Sequence, residues 1–394
     1  MSVPTSEPRH WRSHSAPADT ERRHDERAGR AHLASLLDAQ RLLICVGSGG
    51  VGKTTTAAAL GIAAATRGRR TAVLTIDPAR RLRDALGITT LDGEPHRVSL
   101  GRRPTAGSLD AMILDTKRTF DELIQRYAPT AAAAERVLRN RIYESVSTAL
   151  AGSQEYMAME RLHALATSGR YELLVVDTPP TQQALDFLEA PERLTALLSS
   201  RAAAILQNPS LILAREGSRL AQAALSAVLR GLERFTGFAL LRDVAEFVGG
   251  LEELSAGFQE RAATVARFLR EPATSFVLVT TPETARIAET LAFHRELVRA
   301  GLPFAGFVIN RVLPPALLGD PPFPDVEGAT RPDLGLGRKL ADLQRRFTAL
   351  VRDERIEIDR LRAAAPDALF VEVPLATEEP SSLKRLVAWS AELA

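Results

Sequence analysis

Residues 42–55 read Leu42-Leu43-Ile44-Cys45-Val46-Gly47-Ser48-Gly49-Gly50-Val51-Gly52-Lys53-Thr54-Thr55. Five apolar residues run directly into G-x-x-x-x-G-K-[ST], and an Ala/Thr-rich run to Thr66 follows. Strand, glycine-rich loop and helix in that order predict a phosphate-binding loop. Its backbone N–H groups point inward as an anion cradle, and the helix N-terminus adds partial positive charge. Glycines let the backbone approach phosphates with no Cβ in the way. Lys53 is placed to bridge the β- and γ-phosphates, and the Thr54 hydroxyl to ligate Mg²⁺. Only four lysines occur, against 46 arginines. Lys53 therefore stands where a compact ammonium is needed and a broad guanidinium does not fit.

The same strand signal recurs along the chain. Ala72–Ile76, Ala111–Leu114, Leu173–Val176, Phe276–Thr280, Phe304–Ile309 and Leu369–Val373 are short, apolar runs like Leu42–Val46. Parallel strands covered on both faces read this way. Helical patterns separate them, so the expected fold is α/β, a doubly wound and mostly parallel sheet of the P-loop NTPase type. Ligands of such sheets bind at the carboxyl ends of the strands.

Two stretches exceed a minimal crossover. Helical insertions are expected at about 117–170 and 184–270, within an ATPase domain spanning 37–394. Residues 1 to about 30 carry Pro, Ser, Arg, His, Asp and Glu with almost no large apolar side chains, which reads as a disordered arm, its boundary set at 1–36; residues 31–40 read as a short helix leading into the first strand. Residues 313–337 are rich in Pro and Gly and read as a surface excursion.

Bulk composition narrows the function classes. The chain has 394 residues, 45 % of them hydrophobic, and a net charge of +2. Nothing in that balance calls for a nucleic acid. The single cysteine, Cys45, excludes an intrachain disulfide and a CxxC zinc clasp, and reads as a small core residue. No apolar run approaches a membrane span, and the N-terminus lacks the apolar core of a signal peptide, so a cytoplasmic protein is expected.

Three strand ends carry candidate site residues. Thr75-Ile76-Asp77-Pro78-Ala79-Arg80 places Asp77 where it would orient or deprotonate an attacking water, or hold Mg²⁺. Val175-Val176-Asp177-Thr178-Pro179-Pro180-Thr181 is a Walker B arrangement, with Asp177 near the Mg²⁺ shell. Each Asp taken alone also fits a helix N-cap. Val308-Ile309-Asn310-Arg311 offers an amide suited to an adenine edge, and Asn310 equally suits a turn. Val373-Pro374-Leu375 ends the last strand, and its backbone would flank the base.

The set GSGGVGKTT, TIDPAR, VVDTPPT, VINR and VPL resembles the arsenite-pump and tail-anchored-protein targeting ATPase family of deviant Walker A proteins. The resemblance covers about 40–394. It implies ATP hydrolysis with Mg²⁺, and a nucleotide held by Gly47, Gly49, Gly50, Val51, Gly52, Lys53, Thr54 and Thr55. It makes Asp77 the switch I water-positioning residue and Asp177 the switch II Mg²⁺-shell residue, with Asn310 and Pro374 as adenine contacts. Lys53 and Asp77 are its catalytic residues, and Thr54, Asp77 and Asp177 its metal set.

Departures from the family qualify these expectations. Relatives carry a second loop lysine, which reaches the partner's nucleotide across a dimer, where this chain has Ser48. A homodimer would lack that cation, which favours a heterodimer with a paralogue. One cysteine supplies neither a three-thiol arsenite site nor a zinc clasp, so a thiol-based arsenite pump is excluded. Switch II continues as Thr181-Gln182-Gln183, without the glycine relatives place after the Thr.

The expected function is a dimer whose Mg·ATP hydrolysis switches its conformation, to handle a hydrophobic or membrane-associated client or drive a membrane partner. Met157, Met159 and an apolar stripe over 219–258 would line a client groove, or else pack the helical region. Peripheral membrane association fits such a role. Two alternatives stay open: a nucleotide-binding regulatory subunit of a heterodimer with little turnover, and a partition- or positioning-type ATPase.

Overall fold

The computed structural model describes residues 17–76, 81–101, 107–128, 130–140, 143, 153–179, 260, 263–314, 333–376 and 382–393. Eight strands form one sheet in the order β3-β4-β2-β5-β1-β6-β7-β8. They are β1 (Leu42–Val46), β2 (Arg70–Thr75), β3 (His96–Arg97), β4 (Ser108–Ile113), β5 (Leu173–Asp177), β6 (Thr274–Thr280), β7 (Phe304–Val312) and β8 (Leu369–Pro374). All pairs are parallel except β3 with β4. The chain belongs to the α/β class, as its apolar runs require. The short antiparallel β3 has no apolar run to announce it.

β1 sits between β5 and β6 while its successor β2 lies beyond β5. The crossover out of β1 therefore leaves a crevice at the strands' carboxyl ends, where the loop of residues 47–52 emerges. Period-2 alternation divides the core between the two faces of the sheet. Leu42, Ile44 and Val46 point into one buried cluster; Leu43 and Cys45 point into the other.

The second cluster holds α1 (Pro17–Ala39) and α2 (Lys53–Thr66). Ala57–Ala59 and Ala63–Ala65 are all buried, and their small side chains let α2 lie close on the sheet. α1 contains the short helix expected over 31–40, where Leu33, Leu36 and Leu37 are buried, and extends it back to Pro17 into the stretch expected to be disordered; residues 1–16 lie outside the described residues. Low mean hydropathy hid the earlier part of a helix whose three leucines, at i, i+3 and i+4, dock one face.

Between β4 and β5 run α3's successors, α4 (Thr116–Tyr127), α5 (Ala131–Leu138) and α6 (Ser153–Thr167), α3 itself being Arg81–Leu86. Asp115 and Thr130 cap α4 and α5, accepting from the N–H of Arg118 and Ala133. Met157 and Met159 are fully buried on α6 and pack the core rather than line a groove. The 219–258 stripe lies outside the described residues. The remaining helices are α7 (Thr284–Arg299), α8 (Asp333–Ala364) and α9 (Leu383–Leu393). No described helix is long and apolar enough to cross a membrane.

α7 carries a pH-sensitive contact. The His294 ring lies 4.5 Å from Phe304 and 5.8 Å from Phe307, centroid to centroid. Burial, aided by the charge of Arg295, holds its pKa below the ordinary value of 6.5. Between the folded value and 6.5 the unfolded chain binds more protons, so stability falls as pH drops through that window. His294→Leu is expected to flatten this dependence in denaturant titrations between pH 7.5 and 5.5. Parallel profiles for the two proteins would refute it.

Candidate functional site

The loop from β1 to α2 is held in shape by side chains from three neighbouring elements. A Cβ on Gly47 would stand 2.1 Å from the Val279 carbonyl of β6, so only glycine passes there. Gly52 caps α2 with φ 96, the left-handed region that glycine adopts without strain. A Cβ on Gly52 would collide with the Asn310 amide, whose Nδ2 donates to the Val51 carbonyl at 2.9 Å. Asn310 Oδ1 accepts the Arg311 N–H at 2.9 Å. The amide thus turns the chain locally and clamps the loop, a combination that sequence reasoning missed. β7 continues to Val312, so Asn310 lies within the strand rather than after it.

Lys53, the first residue of α2, is 8 % exposed. Its Nζ donates to the carbonyls of Gly47 and Ser48, each at 2.8 Å. Ser48 is 3 % exposed and faces α7, where its Oγ donates to Glu289. Glu289 also pairs with Arg286 at 3.1 Å. The Ser48 hydroxyl, and then Arg286, hold the Glu289 carboxyl below the usual range. The second loop position is thereby tied into its own protomer.

Asp177 ends β5 and is 1 % exposed. Its Oδ2 accepts from Thr54 Oγ1 at 2.7 Å and from Thr75 Oγ1 at 2.9 Å. It is no helix cap: the sheet carries it to the loop's threonine. Three hard oxygen donors from α2, β2 and β5 meet here, the donor set that Mg²⁺ takes. Cys45 lies beside Asp177 in the sheet, and burial, reinforced by that carboxylate, pushes its thiol pKa up. It is an inert core residue.

Asp77 lies outside the described residues. Its neighbour Ile76 is placed: the Ile76 N–H donates to the Asp177 carbonyl at 2.9 Å, and its own carbonyl accepts from Gln154 Nε2 of α6 at 2.8 Å. The ends of β2 and β5 are locked together, and a helix of the insertion is fastened to them.

A cavity of about 540 Å³ opens over the loop. Gly49, Gly50, Gly52, Lys53, Thr54 and Thr55 line it, and Asn310 and Pro374 join them from β7 and β8. Gly47, Val51 and Asp177 are buried and do not line it. Thr178, Arg81, Arg311 and Trp389 also line it. Sequence reading gave none of these four a role, although Thr178 stands in VVDTPPT, Arg311 in VINR and Arg81 directly after TIDPAR; Trp389 alone lies away from every motif. Size, glycine-rich floor and buried ammonium suit a nucleotide triphosphate.

Comparison with known proteins agrees with this geometry. The sequence pattern of the family described as anion-transporting ATPase matches residues 40–320. An ATPase GET3 from Chaetomium globosum is 28 % identical over 285 residues, covering 72 % of this chain and 76 % of that protein. An ATPase get3 from Neurospora crassa is 27 % identical over 285 residues, covering 72 % and 77 %. A putative arsenical pump-driving ATPase from Chlorobaculum tepidum is 31 % identical over 156 residues, covering 39 % and 36 %.

Proposed function

The chain belongs to the anion-transporting ATPase family and is an ATPase, and from that premise we propose that its ATP hydrolysis switches a dimer between two arrangements. The switch carries a hydrophobic client or drives a membrane partner. One observation carries this reading: the hydrogen-bond path from Thr54 through Asp177 to Ile76 and on to Gln154 of α6. It joins the loop to the helical region, so a change at the phosphates has a mechanical route outward.

The residues divide the chemistry among them. Loop N–H groups and Lys53 hold the β- and γ-phosphates, and Lys53 meets negative charge growing there in the transition state. Thr54 and Asp177 would hold Mg²⁺, which would neutralise negative charge on the phosphates. Asp77 orients the attacking water and accepts its proton. Asn310 keeps the loop in register, and Pro374 borders the base.

Ser48 bears on the dimer. Its hydroxyl is committed to Glu289 within the same chain, and it carries no positive charge outward. This supports a paralogue as the partner that completes the site.

Asp77→Asn is expected to leave ATP affinity within about twofold and to lower turnover by roughly 10²–10⁴-fold, the usual worth of a positioned proton acceptor. Phosphate release and calorimetry check the two halves. Binding of a hydrophobic helical peptide, followed with and without ATP, tests the switch. Equal peptide affinity in both states would sink it.

A further inference from the structure

The cavity lining extends beyond the loop to apolar residues from the end of β8 and to one residue of the C-terminal helix, α9. α9 packs on α2 and α3. Trp389 of α9 is half-buried; part of its indole rests on the core beneath α2, and the residue also lines the cavity. Pro374, Leu375 and Ala376, just at and past the end of β8, line the same cavity. Leu375 is 47 % exposed, an apolar side chain left uncovered beside a polar site.

Arg311 also lines the cavity, one residue before Val312, whose carbonyl accepts the Leu375 N–H at 2.8 Å. Its φ of 62° makes it the one non-glycine residue at positive φ among the described residues. The β7–β8 register shifts between Ile309 and Val312, and the irregularity keeps Arg311 on the cavity. Backbone strain of this kind gathers at ligand sites. The cavity lining therefore holds Lys53 and the loop glycines together with an indole, a proline ring and an uncovered leucine, beside Arg81 and Asp84 of α3. A triphosphate satisfies the first set and leaves the second without a partner. A flat heteroaromatic ring satisfies it: an indole offers a large rigid face at small entropic cost.

We propose that Trp389 stacks on the base of the bound nucleotide, making the C-terminal helix part of the nucleotide site. The proposal rests on the ATPase reading of this cavity and adds a base-contacting residue to it. Occupancy by a nucleotide would then also bear on how α9 seats against α2 and α3.

The chain has two tryptophans, Trp11 and Trp389, so Trp11→Phe leaves a single reporter at the cavity. In that protein, with Mg²⁺ present, ATP is expected to change the emission of Trp389. Inorganic tripolyphosphate, its binding followed by calorimetry, is expected to leave the emission unchanged. Trp389→Ala is expected to weaken ATP about tenfold, in line with the loss of one base–aromatic stack, and to leave tripolyphosphate affinity within about twofold. Trp389→Phe should restore most of the loss. ATP binding with no emission change, an equal emission change with both ligands, or undiminished ATP affinity in Trp389→Ala would each overturn the proposal. Calorimetry of the unaltered chain separates the two levels. If ATP does not bind it at all, the ATPase reading of the cavity falls, and this proposal with it. If Trp389→Ala does not fold, the emission of the Trp11→Phe protein decides alone, since it leaves position 389 intact.

Discussion

Lys53→Ala yields a folded protein whose ATP affinity has fallen by roughly 10²–10⁴-fold, as expected from losing two charge-assisted hydrogen bonds of about 1.5–3 kcal/mol each. The ammonium is buried and already oriented, with Nζ on the carbonyls of Gly47 and Ser48. Its rotamer entropy is spent before ligand arrives, so its attraction for phosphate is little discounted. Alanine removes the charge and leaves two carbonyl dipoles facing the phosphates. Lys53→Arg separates charge from shape. The guanidinium keeps the charge, yet its planar fork does not fit between two carbonyls 2.8 Å from a compact ammonium. Arginine should therefore recover only a small part of the loss. Calorimetric titration with ATP and Mg²⁺ measures both variants, and circular dichroism checks the fold. Affinity within threefold of the parent chain in Lys53→Ala would remove the loop from the nucleotide site.

Asp177→Asn is expected to cut ATP turnover by about 10²–10³-fold while binding measured without Mg²⁺ stays close to that of the parent chain. The carboxylate makes no claim on the phosphates; it holds the Thr54 and Thr75 hydroxyls on one oxygen. Asparagine preserves the shape and still offers one acceptor oxygen. It withdraws the negative charge that makes a hard-cation site, so the enhancement of ATP binding by Mg²⁺ should shrink as well. The melting temperature is expected to move by only a few degrees, since one acceptor survives. Magnesium-dependent binding and turnover equal to the parent chain's would show that Asp177 only ties strands together.

Much of this protein was legible one residue after another. A strand buried on both faces must be apolar throughout, so β1, β2, β5 and β6 declare themselves in Leu42–Val46, Ala72–Ile76, Leu173–Val176 and Phe276–Thr280. A backbone that must approach phosphates needs glycine, so the loop declares itself too. β3 was illegible because His96 and Arg97 form no apolar run; the backbone ladder and the Arg97–Asp110 ion pair at 2.7 Å hold it to β4, and neither leaves a periodic pattern in the sequence. α1 was legible over 31–39, where its three leucines dock, and illegible before that, because the Arg-, Asp- and Glu-rich stretch from Pro17 carries no apolar periodicity. Asn310 was half legible: an amide at a strand end marks either a ligand contact or a turn, and its hold on Val51 depends on β7 reaching the loop.

The sequence by itself determined the α/β class and the family, and it singled out the glycine-rich loop with Lys53, Thr54 and Asp177 as the candidate site. Each of these depends on local chemistry: periodicity, φ freedom, and charge at a strand end. Only the tertiary structure decided that Asp177 meets Thr54 and Thr75, that Ser48 is spent on Glu289, and that Gln154 fastens α6 to the end of β2. It alone brought Arg311 and Trp389 to the same cavity as Lys53. Those partners are separated by 78 to 241 residues in the hydrogen-bonded cases apart from Asp177's own, which span 102 and 123. Contacts over such separations are created by strand order and helix packing, and no local pattern encodes them.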